Sequence, residues 1–409
     1  MGLKDVRRRL PVVEALPTSK TRAYLPREVK ARPRPSYAVW EFTLACDQRC
    51  RACGPRAGEA RHDELDTESS LRLVDELADL GVGEVTLIGG EAYLRDDVLL
   101  VIRRIRERGM KATMTTGGLT LTRTRAEAIV EAGIELVSFS IDGLEPTHDA
   151  LRTRGGFRRA LEAMRHVERA GAQVAANTQI NRSTMGQLVP LGEALANEGI
   201  VAWQLILTIA HGNAADHPDL LLQPYMLLDV YEEIERVLDL CDARGITIWP
   251  GNNIGYFGPL EHRLRRHQNA DAHYLGCQAG QSGIGIESDG SVKSCPSLGG
   301  PANTGGQWGD DSLRTIWEGA PEIRRLGVRT VDDLWGFCRT CYYAEVCMAG
   351  CTATTEPLFG RPGNNPFCHH RVLELDGQGL RERIERVRAA PSTPFGFGEF
   401  QLIQEPKPE

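Results

Sequence analysis

Six glycines within the first 250 residues constrain the fold of this chain more than any other feature. Gly81, Gly109, Gly133, Gly171, Gly199 and Gly245 each follow an apolar-periodic stretch and precede a short run rich in β-branched and apolar residues. A glycine just past a helix takes the left-handed conformation that closes it, so these positions mark helix ends. The runs after them, among them Glu84-Val85-Thr86-Leu87-Ile88, the stretch through Met114, and Leu136-Val137-Ser138-Phe139, read as buried parallel strands. The first strand is Tyr37 to Leu44. Strand and helix alternating in this way imply right-handed crossovers in a curved or open parallel sheet, with chemistry at the strand carboxyl ends.

After about residue 265 the alternation stops and glycine- and cysteine-rich sequence takes over. A hairpin with Asp289-Gly290 at its turn fits Ile284 to Val292. Continuous apolar pattern is scarce here, so bound metal is expected to supply stability that packing does not. A chain of 409 residues exceeds what one hydrophobic core usually serves. Four segments are expected: a Pro- and Arg-rich arm over residues 1–36, an α/β core over 37–265, a cysteine-rich domain over 266–375, and a C-terminal helix with a loosely docked tail over 376–409.

Ten of the eleven cysteines fall into two groups. Cys46, Cys50 and Cys53 form Cys-x3-Cys-x2-Cys directly after the first strand, and Cys277, Cys295, Cys338, Cys341, Cys347, Cys351 and Cys368 occupy the last third. Cys241 is left over, within a helical pattern that makes it a core residue. The net charge of -7 and the lack of a long basic run argue against a nucleic-acid partner. No apolar stretch is long enough for a membrane span, so a cytoplasmic protein is expected, in which clustered thiols are metal ligands rather than disulfides. Thiolates select iron-sulfur clusters or zinc, and structural zinc closes with four ligands. Three thiolates in one loop instead hold three irons of a cubane and leave the fourth open.

Strand, three-cysteine loop, then a second strand ending in Gly89-Gly90-Glu91 resembles the radical S-adenosylmethionine (radical SAM) superfamily. The resemblance implies a partial (β/α)6 barrel, a [4Fe-4S] cluster on Cys46, Cys50 and Cys53, and SAM bound to the open iron with its amino group on the Gly-Gly-Glu motif. A carboxylate at a strand end suits an ammonium, and glycines let backbone approach a ligand closely. Thr115-Thr116-Gly117-Gly118 stands where family members have Thr-Asn-Gly, and Ser138-Phe139-Ser140-Ile141-Asp142-Gly143 resembles the fourth strand, whose serine reaches the SAM region. Thr116, Ser140 and Asn177 are thereby candidate cofactor contacts, and His211-Gly212-Asn213-Ala214 marks a comparable strand end. Two positions depart from the pattern: Ala52 replaces the usual aromatic before the third cysteine, and Ala92 replaces the proline after the glutamate.

The later cysteines resemble the seven-cysteine SPASM domain of radical SAM enzymes that modify peptides and proteins. The resemblance implies an auxiliary [4Fe-4S] cluster on Cys277, Cys295 and Cys351 and a second on Cys338, Cys341, Cys347 and Cys368; with no further cysteine between Cys277 and Cys295, the fourth iron of the first is left to water, another side chain or a substrate thiolate. Auxiliary clusters accept electrons, which favours net oxidation or crosslinking. The expected function is maturation of a ribosomally made peptide or small protein, fed by an external donor such as flavodoxin or ferredoxin. With 36 residues ahead of the barrel, leader binding would need a separate leader-peptide-binding protein. The alternatives are oxidation of a small molecule or tetrapyrrole, a sulfatase-type maturase, disfavoured by Pro296 after Cys295, and a non-catalytic iron-sulfur or zinc scaffold. Glu287 is a candidate base, and His369-His370 lie beside a cluster ligand.

Overall fold

Along the first strand, Ala38, Trp40 and Phe42 are fully buried beneath helices while Val39 and Glu41 face a central cavity. That alternation is what a strand between two different environments requires. It repeats through β1 (Tyr37–Thr43), α1 (Thr67–Leu80), β2 (Glu84–Gly89), α2 (Val98–Glu107), β3 (Lys111–Thr116), α3 (Arg123–Ala132), β4 (Leu136–Ser140), α4 (Glu145–Leu151), α5 (Gly156–Ala170), β5 (Gln173–Ile180), α6 (Leu188–Asn197), β6 (Ala202–Leu207), α7 (Asn213–Asp216), α8 (Leu227–Arg244) and β7 (Thr247–Pro250). The computed structural model describes residues 33–269 and 271–408, so most of the expected N-terminal arm lies outside the described residues.

Strands β1 to β7 pair in parallel and in chain order. The first six are the strands of the expected barrel, and β7 adds a seventh. Side chains from all seven line one cavity, which requires the sheet to curl. Its outer face packs Trp40, Leu87, Phe139 and Trp203 against the helices, which supply residues such as Met164. Gly81, Gly133, Gly171 and Gly245 cap their helices in the left-handed conformation. Gly109 and Gly199 are left-handed too, one residue beyond the caps Arg108 and Glu198. At the other end of α1, the Asp66 carboxylate accepts from Ser69 N at 2.8 Å.

The hairpin expected at Ile284 to Val292 forms as β8 (Gly283–Ile286) and β9 (Ser291–Lys293), followed by β10 (Thr304–Gln307). It is not confined to a separate domain. β8 pairs in parallel with β1, from Tyr37↔Gly283 to Trp40↔Ile286, so one ten-stranded sheet runs through the expected boundary. Without β8, β1 would be an open edge.

The expected C-terminal helix and loose tail give way to something else. The last helix, His369–Gly377, ends early, and β11 (Leu380–Arg388) pairs antiparallel with β12 (Glu399–Pro406). Cross-strand pairs of Arg381 and Arg383 with Glu405, at 2.7 and 3.0 Å, stabilise charged strands that look unlike buried ones in sequence. The loop between them returns to the barrel. Among the described residues no helix is long and apolar enough to cross a membrane.

Candidate active site

Cys46, Cys50 and Cys53 lie on the loop that leaves the carboxyl end of β1. Main-chain and side-chain bonds fix its course: Cys46 N donates to Gly58 O (3.1 Å), Asn213 Nδ2 to Cys50 O (2.8 Å) and Asn213 N to Cys53 O (2.9 Å). Arg56 locks the same corner by donating to the side chains of Asn213 (2.9 Å) and Asp216 (2.6 Å). The turn at residues 211–214, noted in the sequence, is therefore the brace of the loop. Donors also point at the sulfurs: Gln48 N lies 3.4 Å from Cys46 Sγ, Ala57 N 3.3 Å from Cys53 Sγ, and Arg152 Nη1 3.8 Å from Cys50 Sγ. Burial pushes the Cys46 thiol up to about 12 and the Cys50 thiol to about 11, so metal capture must release protons.

Spacing decides which metal group fits. Among the described residues no three thiols lie within 4.8 Å of one another. A tetrahedral zinc with Zn-S bonds of about 2.3 Å holds its sulfurs roughly 3.8 Å apart. A cubane instead spreads its thiolates over separate irons, and the three thiols of this loop offer one ligand to each of three.

The Gly89-Gly90 pair lets β2 pass against the loop. A Cβ at Gly90 would sit 2.0 Å from Ala45 O, and one at Gly89 2.2 Å from Thr43 O. This contact carries Glu91 to Cys46, where Glu91, Asp47 and the thiol place ligand atoms within 4.8 Å of one another. Glu91 accepts from Gly117 N at 2.7 Å, from Gln48 Nε2 at 3.4 Å and from the Thr116 hydroxyl. Burial raises its carboxyl to about 8 against the pull of those donors. Below that pH the carboxyl carries a proton, which must leave before an ammonium can be received. The affinity for SAM is expected to fall as pH drops through about 8, by up to roughly tenfold per unit, and Glu91→Gln to flatten the dependence. Equilibrium dialysis across pH measures it; a flat wild-type profile contradicts it.

Ser140 ends β4 directly opposite Asn177 on β5. Asn177 Oδ1 accepts from Ser138 Oγ at 2.8 Å, and Asn177 lines the barrel cavity. Arg152 was missed in the sequence. It is held by Asp142 at 2.7 Å beside Cys50, and its only sequence signal was its position after the Ser-Ile-Asp-Gly run.

Two connected cavities follow. A lower one of about 960 Å³ is lined by Tyr37, Thr86, Thr113, Ser138, Asn177 and Gln204, among others. An upper one of about 250 Å³ touches the cysteine loop at Ala52, Gly54 and Pro55, and shares Val39 and Ile88 with the lower. Glu41 enters the upper cavity with Oε1 on Arg61 (2.9 Å) and Oε2 unpartnered. Glu287, the candidate base, has both oxygens engaged, by Arg61 at 3.1 Å and Lys293 at 2.7 Å. His211 faces the same space, held down to about 4 by burial and by Lys293, and is therefore a neutral ring.

The seven later cysteines form two groups in space. Cys295 is raised to about 12 by burial, then by its neighbours Cys277 and Cys351. Cys338, Cys341, Cys347 and Cys368 line one apolar cavity with Tyr256, Phe257 and Tyr343. His370 joins that lining, while His369 stacks on Tyr231 at 3.8 Å. Cys241 is 1% exposed in the helical core, away from both groups.

Comparison with known proteins agrees with this geometry. Residues 40–182 match the radical SAM superfamily model, and residues 277–342 match the SPASM iron-sulfur cluster-binding domain. An "AdoMet-dependent heme synthase" of Methanosarcina barkeri is 27% identical over 82% of this chain and 97% of its own length. A "PqqA peptide cyclase" of Ruegeria pomeroyi is 28% identical over 84% of this chain and 91% of its own. In fold, the chain is similar to Streptococcus suis SuiB bound to S-adenosylmethionine, with a TM-score of 0.64 and 17% identity over 78% of this chain and 74% of that one.

Proposed function

Because the chain belongs to the radical SAM superfamily and carries a C-terminal SPASM iron-sulfur domain, we propose that it oxidises or crosslinks a ribosomally made peptide. When bound, the cluster and SAM together supply a 5'-deoxyadenosyl radical that takes a hydrogen atom from a substrate carbon. Cys46, Cys50 and Cys53 hold that cluster, and Glu91, oriented by Thr116 and Gly117, receives the SAM ammonium where Gly89 and Gly90 bring it close. Ser140, at the carboxyl end of β4, and Asn177, which lines the lower cavity, are further contacts for SAM in this proposal. Cys277, Cys295 and Cys351, and separately Cys338, Cys341, Cys347 and Cys368, would hold auxiliary clusters that would supply an acceptor for the substrate's electron. An external donor such as flavodoxin or ferredoxin, and a separate leader-binding protein, complete the proposal.

One observation favours a peptide: the charge of the cavity walls. Among the described residues, the Lys and Arg side chains lining the two cavities are Lys293, paired with Glu287, and Arg265, bonded to backbone carbonyls and Gln268. A tetrapyrrole brings several carboxylates that need free cations. A peptide backbone needs neutral donors and acceptors, and Thr86, Thr113, Gln204 and Asn252 offer them. The second reading, oxidation of a tetrapyrrole, draws on the likeness to the M. barkeri protein.

The test is anaerobic turnover with SAM and a strong reductant on a synthetic peptide library and, separately, on an iron porphyrin. A peptide that loses two hydrogens in step with 5'-deoxyadenosine supports the proposal. Turnover of the porphyrin alone overturns it in favour of the second reading.

A further inference from the structure

The loop between β11 and β12 lies beyond both matched family segments, yet it closes the upper cavity. Phe395 N donates to Gly54 O at 2.9 Å, one residue past the third cysteine of the loop, and Gly212 N donates to Gly396 O at 2.8 Å. Arg56 Nε reaches Thr393 O at 3.1 Å. Phe395 is 8% exposed and has φ 54°, a left-handed conformation that a bulky side chain adopts only when its surroundings hold it there. Its ring comes within 3.4 Å of the Cβ position of Gly54, lies 4.0 Å from Lys293 Nζ, and has the His211 ring 5.5 Å away.

The chemistry of the site asks for such a ring. Gly89, two residues before Glu91, and the cysteine loop border the same upper cavity, so a SAM whose methionyl end sits at Glu91 has room for its purine there. A purine is flat, apolar on its faces and favoured by aromatic edges or faces. The loop itself contributes Ala52, Gly54 and Pro55, none of them aromatic. The remaining apolar wall includes Val39, Ile88, Ile206, Leu207, Ile209 and Ile286, and the aromatic rings among its lining are Phe395 and His211.

We infer that Phe395, delivered by the C-terminal hairpin, is the aromatic wall for the adenine of SAM, in the place where Ala52 leaves the cysteine loop without one. The inference rests on SAM being the cofactor. It assigns a binding role to a segment that neither family match covers, and it makes the C-terminus part of the cofactor site.

The test measures SAM affinity by equilibrium dialysis on the reconstituted full chain, with iron content as the control for an intact loop. Phe395→Ala is expected to weaken binding roughly tenfold. Phe395→Leu fills the same space without a π system and is expected to keep its iron while binding about threefold to tenfold more weakly. Adding Ala52→Phe to Phe395→Ala is expected to restore much of the loss. If Phe395→Leu binds SAM as wild type does, the inference fails even where Phe395→Ala disturbs the loop. If wild type itself does not bind SAM, the cofactor assignment fails instead.

Discussion

Replacing Cys46, Cys50 and Cys53 together by alanine is expected to abolish 5'-deoxyadenosine formation and to lower iron from about twelve to about eight atoms per chain. The loss is specific because the three thiols share one loop, braced by Asn213 and Arg56, while the other seven ligand candidates sit on separate elements. Removing three half-buried thiols, two of them raised to about 11 and 12, leaves the barrel core untouched. The barrel should therefore keep its helical circular dichroism while losing one cluster. Iron counting and chromatography of the nucleoside check both halves. Cleavage that survives the triple substitution, or zinc in place of iron, would remove the basis for radical chemistry at this loop.

Stripping iron with a chelator is expected to loosen the cysteine-rich part far more than the barrel. Helices between residues 313 and 377 run only four to nine residues. Such lengths are marginal without tertiary support. Leu313, Ile316, Trp317, Leu358, Phe367 and Val372 join the main core, but the cysteine-bearing stretches rely on two small apolar clusters of which cysteines are themselves members. Metal binding is then folding energy, and its loss should lower the melting temperature of this part by on the order of 10 °C or more. Hydrogen exchange followed by mass spectrometry should show lost protection over residues 331–368 and retained protection in β2 to β6. Equal protection in both parts before and after chelation would mean that packing alone suffices.

Local chemistry was legible from the chain. The glycines at 81, 133, 171 and 245 cap their helices because a left-handed residue is a property of one position and its neighbours. The Asp-Gly hairpin was legible for the same reason. The charged strands β11 and β12 were not, since Arg381 and Arg383 become stabilising only once Glu405 lies across from them. A run of arginine and glutamate suits a helix equally well until its partner is known.

Within the site the same division holds. Thiolate ligands must come from cysteine, and three within eight residues share a loop in any fold, so their spacing in the chain sufficed to propose one common cluster site. Placement of Arg152 on Cys50, of β8 against β1, of the unpartnered Glu41 oxygen in the upper cavity and of Phe395 on Gly54 depended on closing loops of a hundred residues or more. Such contacts leave no periodic trace, because the energy that selects them is the burial of surfaces that meet only after the sheet has curled. The amino-acid sequence alone determined which chemistry the chain can hold; the tertiary structure decided which side chains surround it.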